Sequence, residues 1–265
     1  MSVPICVVDS FTSEPFRGNP AAVCFADAAR MKDAVWMQSV AAELNLSETA
    51  FVSRHGDGWQ LRWFTPTVEV DLCGHATLAA AHALWESGRL GAGEPARFQT
   101  RNSGILTCRK SDAGIVMDFP ARPALAAEPP EDLVLGLGSR PLWCGRSVDD
   151  FLCELPDETA VTSHRPIFDA LARVKCRGVI VTARASRPGF DFVSRFYGPA
   201  AGILEDPVTG SAHCTLAPFW SERLGRESLR GWQASARGGA VGTRVVANRV
   251  ELIGSAVTVW KGELL

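Results

Sequence analysis

The stretch from Cys73 to Leu90 reads CGHATLAAAHALWESGRL, and the stretch from Thr209 to Gly225 reads TGSAHCTLAPFWSERLG. Gly74 and Gly210 stand 136 positions apart in a chain of 265 residues. Downstream, Phe98-Gln99 answers Trp232-Gln233, Gly104 answers Gly238, and Val116-Met117-Asp118-Phe119 answers Val250-Glu251-Leu252-Ile253. Upstream, Phe64-Thr65-Pro66 loosely answers Phe196-Tyr197-Gly198-Pro199. A repeat of that length is too long for a solenoid unit, and its parts keep their order, so the chain reads as two homologous lobes. The expected boundaries are 1–122 and 123–265, with the last few residues packing on the first lobe. Each lobe opens a helix with glycine beside a small polar residue. Two such helix starts facing across a cleft would make a symmetric anion site.

The helix after Gly74 is apolar almost all round, through Ala76, Leu78, Ala79, Ala80, Ala81, Ala83 and Leu84. Such a helix belongs inside a core, and a small curved sheet or barrel rolled around it would satisfy it. Around it, strands are expected over Pro4–Phe11, Ala21–Phe25, Thr49–Val52, Trp59–Phe64, Ala96–Cys108 and Gly114–Phe119. His55-Gly56-Asp57-Gly58 reads as a hairpin turn. A second helix is expected from Ala28 to Leu44, closed by Asn45. The proline-rich segment Pro120–Pro130 falls near the midpoint and reads as the linker. The second lobe repeats the pattern with weaker signals, including strands near Val179–Thr182 and Asp191–Phe196. Its central helix carries Pro218 where the first lobe has His82, and a proline that deep removes a backbone bond and should kink the helix.

Composition excludes several classes. A formal net charge of −2 leaves no footprint for nucleic acid or an anionic membrane. The sequence holds no run of about eighteen apolar residues that would span a bilayer. MSVPICVVDSF reads as a first strand and not as a signal peptide. The eight cysteines are scattered without a C-x-x-C pair, which fits free thiols in a reducing cytoplasm. Metal motifs are missing: Cys73-x-His75 has no third and fourth ligand at usable spacing, so no metal is expected. Neither Gly-x-Ser-x-Gly nor G-x-G-x-x-G occurs, which removes support for an α/β-hydrolase or a nicotinamide or flavin fold.

The remaining candidates are helix starts, carboxylates and a thiol. The first four N–H groups of a helix lack internal partners and carry partial positive charge, and glycine lets a ligand approach them. Gly74 and Gly210 therefore suit a carboxylate; a phosphate loop would add a lysine, which neither motif has. Ordinary capping with glycine for tight packing explains them equally. Cys73 heads the first helix, where a thiol can ionise more readily; a small buried cap residue explains it better on the sequence alone. A two-cysteine racemase needs a second thiol, and the repeat places Thr209 there. Glu48 lies on a loop between helix and strand and could be a general base if burial tunes it; on spacing alone a solvated loop glutamate or local cap prevails. Asp206 precedes the second motif and could equally be a turn residue before Pro207. His75 follows Gly74 and could point into a cleft or be a satisfied buried histidine, while His213 reads as core.

Taken together, Asp9-Ser10-Phe11, Pro15 to Val23 (PFRGNPAAV), Ser47 to Val52 (SETAFV), Gly74-His75-Ala76-Thr77 and Glu205 to His213 (EDPVTGSAH) resemble the PhzF-like proteins, named for phenazine biosynthesis. The likeness runs in order from the N-terminus to about His213, and the repeat extends it to the end. It implies an α+β protein with a diaminopimelate-epimerase-like fold. That fold has two pseudo-symmetric lobes, each a curved, mostly antiparallel sheet or barrel around a central helix, with the site between them. It implies a cofactor-independent isomerase. In the family's founding activity a glutamate moves a proton within a cyclic dihydro-hydroxyanthranilate to give a keto product. The matching residues are Glu48, with Asp206, His75 and Ser211 around the substrate, Gly74 and Gly210 as backbone donors, and Asn19 and Cys73 lining the site. A small carboxylate substrate, no cofactor, and a homodimer are expected. Cys73 keeps the first-lobe cysteine of amino-acid epimerases while Thr209 has replaced its partner, which fits the PhzF-like branch better than a racemase. The alternatives are an epimerase or dehydratase using Cys73, or a non-catalytic metabolite- or partner-binding member of the fold.

Overall fold

The computed structural model describes residues 2–265. The chain divides into two compact units, Met1–Asp118 with Ile253–Leu265, and Phe119–Leu252. The first contains β1 (Val3–Ser10), β2 (Asn19–Phe25), a 3-10 turn (Arg30–Lys32), α1 (Ala34–Leu44), β3 (Glu48–His55), β4 (Gly58–Phe64) and β5 (Glu69–Val70). It continues through α2 (Gly74–Glu86), β6 (Ala96–Gln99), β7 (Ile105–Ser111) and β8 (Gly114–Pro120). The second contains β9 (Leu125–Ala126), α3 (Glu131–Leu137), β10 (Trp143–Arg146), β11 (Asp150–Glu154), α4 (Glu158–Thr162), α5 (Phe168–Leu171), β12 (Gly178–Arg184) and β13 (Phe192–Gly198). There follow β14 (Ile203–Asp206), α6 (Gly210–Leu224), β15 (Ser228–Gln233), β16 (Gly239–Val246) and β17 (Arg249–Gly254). The chain then returns to the first unit as β18 (Ala256–Leu264), antiparallel to β1.

Pairing shows that the repeat is one of topology. In the first unit β1 is antiparallel to β2, β2 parallel to β3, β3 antiparallel to β4, β4 parallel to β6, and β6 antiparallel to β7. In the second, β10, β11, β12, β13, β15 and β16 follow the same series of antiparallel and parallel steps. Each parallel step needs a crossover of a dozen or more residues. In the first unit α1 and α2 supply the crossovers. The fold is α+β, and ten of the thirteen residues of α2 are buried, against β1, β2, β3 and β18. The helix is enclosed because no face of it can be left to water.

Two expected elements are each split. In place of one helix over Ala28–Leu44 there is a 3-10 turn, then a fresh start at Ala34. Asp33 Oδ1 accepts the Trp36 N–H at 2.9 Å and caps the new helix. The expected stop at Asn45 is present, with φ 49° and ψ 36°. The single strand expected over Ala96–Cys108 is a hairpin, β6 and β7, with Ala96 opposite Cys108. Thr100 closes the turn, its N–H and Oγ1 both donating to Gly104 O at 3.0 and 2.7 Å. Gly104, at φ 69°, supplies the left-handed residue, as Gly238 does at φ 67°.

Pro218 lies inside α6 without ending it. Having no N–H, it cannot donate to Cys214 O one turn back. That carbonyl instead accepts the Arg122 N–H at 2.9 Å. The proline thus frees an acceptor that fastens the proline-rich crossing segment onto the helix of its own unit.

Enclosure of α2 predicts a large cost for truncating it. Leu78 is fully buried, so Leu78→Ala is expected to lower unfolding stability by about 2–5 kcal/mol. Val35 on α1 is largely exposed, and Val35→Ala should stay within about 0.5 kcal/mol. Urea denaturation of the two variants checks both.

Candidate active site

Three strand ends and one helix start converge in the first unit. Ser10, the last residue of β1, pairs with Asn19, the first of β2. Glu48, the first of β3, pairs with Ala21 in the parallel register of β2. This register sets Ser10, Asn19 and Glu48 at one edge of the sheet. Cys73 is the N-cap of α2, extended at φ −141° and ψ 113°, and Gly74 and His75 begin the helix. Ser10 Oγ donates to His75 O at 2.8 Å and ties the helix start to β1.

The His75 ring is the centre of this group. Its Nδ1 lies 3.3 Å from Asn19 Nδ2 and 3.4 Å from Cys73 Sγ, and its Nε2 lies 3.2 Å from Glu48 Oε2. An amide nitrogen only donates, so Nδ1 accepts from Asn19 and the ring proton belongs on Nε2, facing the Glu48 carboxylate. Burial depresses the His75 pKa from 6.5 to about 3, so the imidazole is neutral. Glu48 and His75 are therefore a carboxylate facing a neutral N–H donor, not a salt bridge. The approach is close but not aligned for a full hydrogen bond. Such alignment commonly tightens only when substrate is bound. Their side chains are 14% and 6% exposed, so Glu48 keeps a narrow opening to solvent.

Donor atoms of Glu48, Cys73 and His75 lie within 4.8 Å of one another, a set whose chemistry a zinc ion could use. The sequence spacing offered no third ligand, and the fold brings in Glu48. An ion would bind one ring nitrogen and lie among all three donors, whereas here Cys73 Sγ approaches Nδ1 and Glu48 Oε2 approaches Nε2. The close approaches run in order from thiol to imidazole to carboxylate, with a different ring nitrogen facing each end.

The second unit arranges its own helix start differently. Asp206 ends β14, Thr209 is the extended N-cap of α6, and Gly210 and Ser211 begin the helix. Thr209 Oγ1 donates to Asp206 Oδ2. Gln233 braces this turn: its Oε1 accepts the Thr209 N–H at 2.9 Å, and its Nε2 donates to Asp206 O at 2.9 Å. Arg177 donates through Nη1 to Ser211 Oγ at 2.8 Å and is forked onto the buried Asp150. His213 is fully buried with Nδ1 2.9 Å from Thr209 O, a core residue as the sequence suggested.

Sequence reading did not single out Gln233, Arg177, Asp150 or Ser10 as functional. Gln233 was visible only as half of a repeat pair, and its counterpart Gln99 is an exposed strand residue that gives no hint of a brace. A further repeat also escaped. Arg62 grips Glu69 through Nε and Nη2 at 2.7 and 2.8 Å, and Arg195 grips Glu205 the same way at 2.7 and 2.9 Å. In each, Nη1 reaches a backbone carbonyl, Met31 O or His164 O, at 2.8 Å. Arg62 therefore answers Arg195, and Phe64 answers Tyr197 rather than Phe196.

The sequence model of the phenazine biosynthesis-like protein family matches residues 8–262. An uncharacterised isomerase of Halalkalibacterium halodurans is 49% identical over 100% of this chain and 99% of its own length. The crystal structure of a PhzF-family phenazine biosynthesis protein from Enterococcus faecalis superposes with a TM-score of 0.93 at 39% identity, covering 100% of both chains. A hydroxyproline epimerase from Agrobacterium vitis shares the fold alone, with a TM-score of 0.61 at 10% identity over 99% of this chain and 92% of that one.

The ring's surroundings predict its protonation. Nitrogen-15 NMR of labelled histidine should show His75 as the neutral Nε2–H tautomer from about pH 5 to pH 8. The folded value lies below that of an exposed imidazole, so between the two the unfolded chain binds the extra proton. Stability from this group is complete above about 6.5 and is lost as pH falls toward 3. Denaturation at a series of pH values should show that slope, and His75→Asn should flatten it.

Proposed function

This chain belongs to the phenazine biosynthesis-like protein family and is an isomerase, and we propose that it moves a proton on a small carboxylate substrate, without a cofactor, using Glu48 as the base. The observation that carries the reading is the 3.2 Å approach of His75 Nε2 to Glu48 Oε2, with the imidazole neutral and buried. A neutral N–H donor orients the carboxylate without a full opposite charge, which would hold Glu48 ionised and make it a poorer base. The N–H groups at the start of α2, with Gly74 leaving room, suit the substrate carboxylate. Asp206, Gly210 and Ser211 remain candidates in the second unit, to be tested by Asp206→Asn and Ser211→Ala in the same assay. The reading extends to a cytoplasmic homodimer. Among the described residues no helix is long and apolar enough to cross a membrane.

The competing reading is an epimerase or dehydratase that relies on Cys73. It lacks a second thiol, since Thr209 caps α6 where the repeat would need one. Candidate carboxylates, including a dihydro-hydroxyanthranilate and common α-amino acids, are incubated with the protein in heavy water and followed by proton NMR. On a substrate that the wild type turns over, Glu48→Gln should slow exchange by roughly a hundredfold or more, while binding survives. Cys73→Ser should slow it by about tenfold at most. Loss of exchange in Cys73→Ser with retention in Glu48→Gln would make the epimerase reading the right one. Binding without any exchange would point to a protein that kept the fold and lost turnover.

A further inference from the structure

Proton transfer by Glu48 uses one edge of the His75 ring, and the other edge faces a thiol. Cys73 Sγ stands 3.4 Å from Nδ1, the nitrogen that carries a lone pair when Nε2 bears the proton. The imidazole is thus set between a sulfur and a carboxylate, which is the order a nucleophile, its base and the group that orients the base require. Asn19 Nδ2 lies 3.3 Å from the same Nδ1; its amide donor keeps the ring proton on the far nitrogen and holds the one lone pair, which it must release when that nitrogen takes the Sγ proton. The sulfur also sits at the N-cap of α2, where the helix dipole favours negative charge on a thiol. Cys73 is buried, at 7% exposure, so a reagent that reaches its sulfur has to be small. Cys6, Cys24 and Cys108 lie in the sheet as packing residues, and burial pushes each thiol up to about 12.

We propose that Cys73, His75 and Glu48 form a nucleophilic triad whose sulfur adds covalently to small, soft carbon electrophiles, α,β-unsaturated carboxylates in particular. In that addition the sulfur bonds to the β-carbon, and the Sγ proton passes to His75 Nδ1. The π electrons move to the α-carbon, which then takes the proton back from the ring, giving a thioether with no other reactant consumed. Glu48 faces the Nε2–H throughout and stabilises the imidazolium while it lasts. With a haloacetamide the same S–C bond forms, the halide leaves, and the proton goes through the ring to solvent. This reactivity goes beyond the isomerase reading and does not depend on it.

The probe is iodoacetamide, with the rate at each cysteine read by peptide mass spectrometry between about pH 5 and pH 8. An unassisted thiol below its pKa gains about tenfold in rate per pH unit, because only the thiolate reacts. With neutral His75 as base, the wild-type Cys73 rate should stay nearly level across that range. In His75→Ala it should fall at low pH and regain the tenfold slope. Glu48→Gln keeps the size of the side chain and serves should His75→Ala fail to fold; it should slow Cys73 several-fold at pH 6 and leave the other cysteines unchanged. Acrylate should add its own mass to Cys73 at a rate with the same flat profile. A wild-type rate that climbs tenfold per unit, a Glu48→Gln rate and profile equal to wild type, or no labelling of Cys73 in the folded protein would overturn the triad. The readout is an adduct mass, so a failed triad leaves the heavy-water exchange of the isomerase reading untouched, and a failed exchange leaves the triad standing.

Discussion

A helix with ten of its thirteen residues buried has no side to give to water, and the first unit is organised around that constraint. Strands β1, β2, β3 and β18 lie against α2, which fixes their register relative to its axis. The polar need that remains is at the helix start, where backbone N–H groups have no internal partners. Register then decides what surrounds that end. Because β1 runs antiparallel to β2 and β2 parallel to β3, the last residue of β1 and the first residues of β2 and β3 fall at one edge. Those residues are Ser10, Asn19 and Glu48, and all three are polar in strands otherwise rich in apolar side chains.

Burial at that edge also sets the chemistry. A charged imidazole would lose its hydration there with only one carboxylate to compensate, and the ring stays neutral. A neutral ring has one donor and one acceptor, and its neighbours decide which is which. Asn19 claims the acceptor, so the donor faces Glu48. One amide side chain at the start of β2 thereby determines what Glu48 meets.

Much of this was legible in the sequence, for reasons that can be named. The helix around Leu78 announced itself because an all-apolar helical pattern has one physical solution. Gly104 and Gly238 matched because both hairpins need a left-handed residue at the same place. The break before α1 was not legible, since Asp33 caps a helix through a contact that competes evenly with continuation of the turn before it. The hairpin between β6 and β7 was hidden because Asn102-Ser103-Gly104 lies inside a run whose alternation continues on both sides. Membership of Glu48, His75, Asn19 and Cys73 in one site came from resemblance. Their geometry did not, because the order thiol, imidazole, carboxylate depends on strand register and not on spacing. The paired Arg62–Glu69 and Arg195–Glu205 forks escaped because charged pairs at strand ends carry no periodic signal.

The central claim is that Glu48, oriented by a neutral His75, meets the reacting carbon of a carboxylate substrate. A crystal structure with a bound, slowly reacting substrate analogue tests it most directly. The account predicts the exchanging carbon about 3–3.5 Å from a Glu48 carboxylate oxygen, with the ligand's carboxylate at the N–H groups of the α2 start. A ligand whose exchanging carbon is beyond reach of Glu48, with another side chain at that distance, would contradict it.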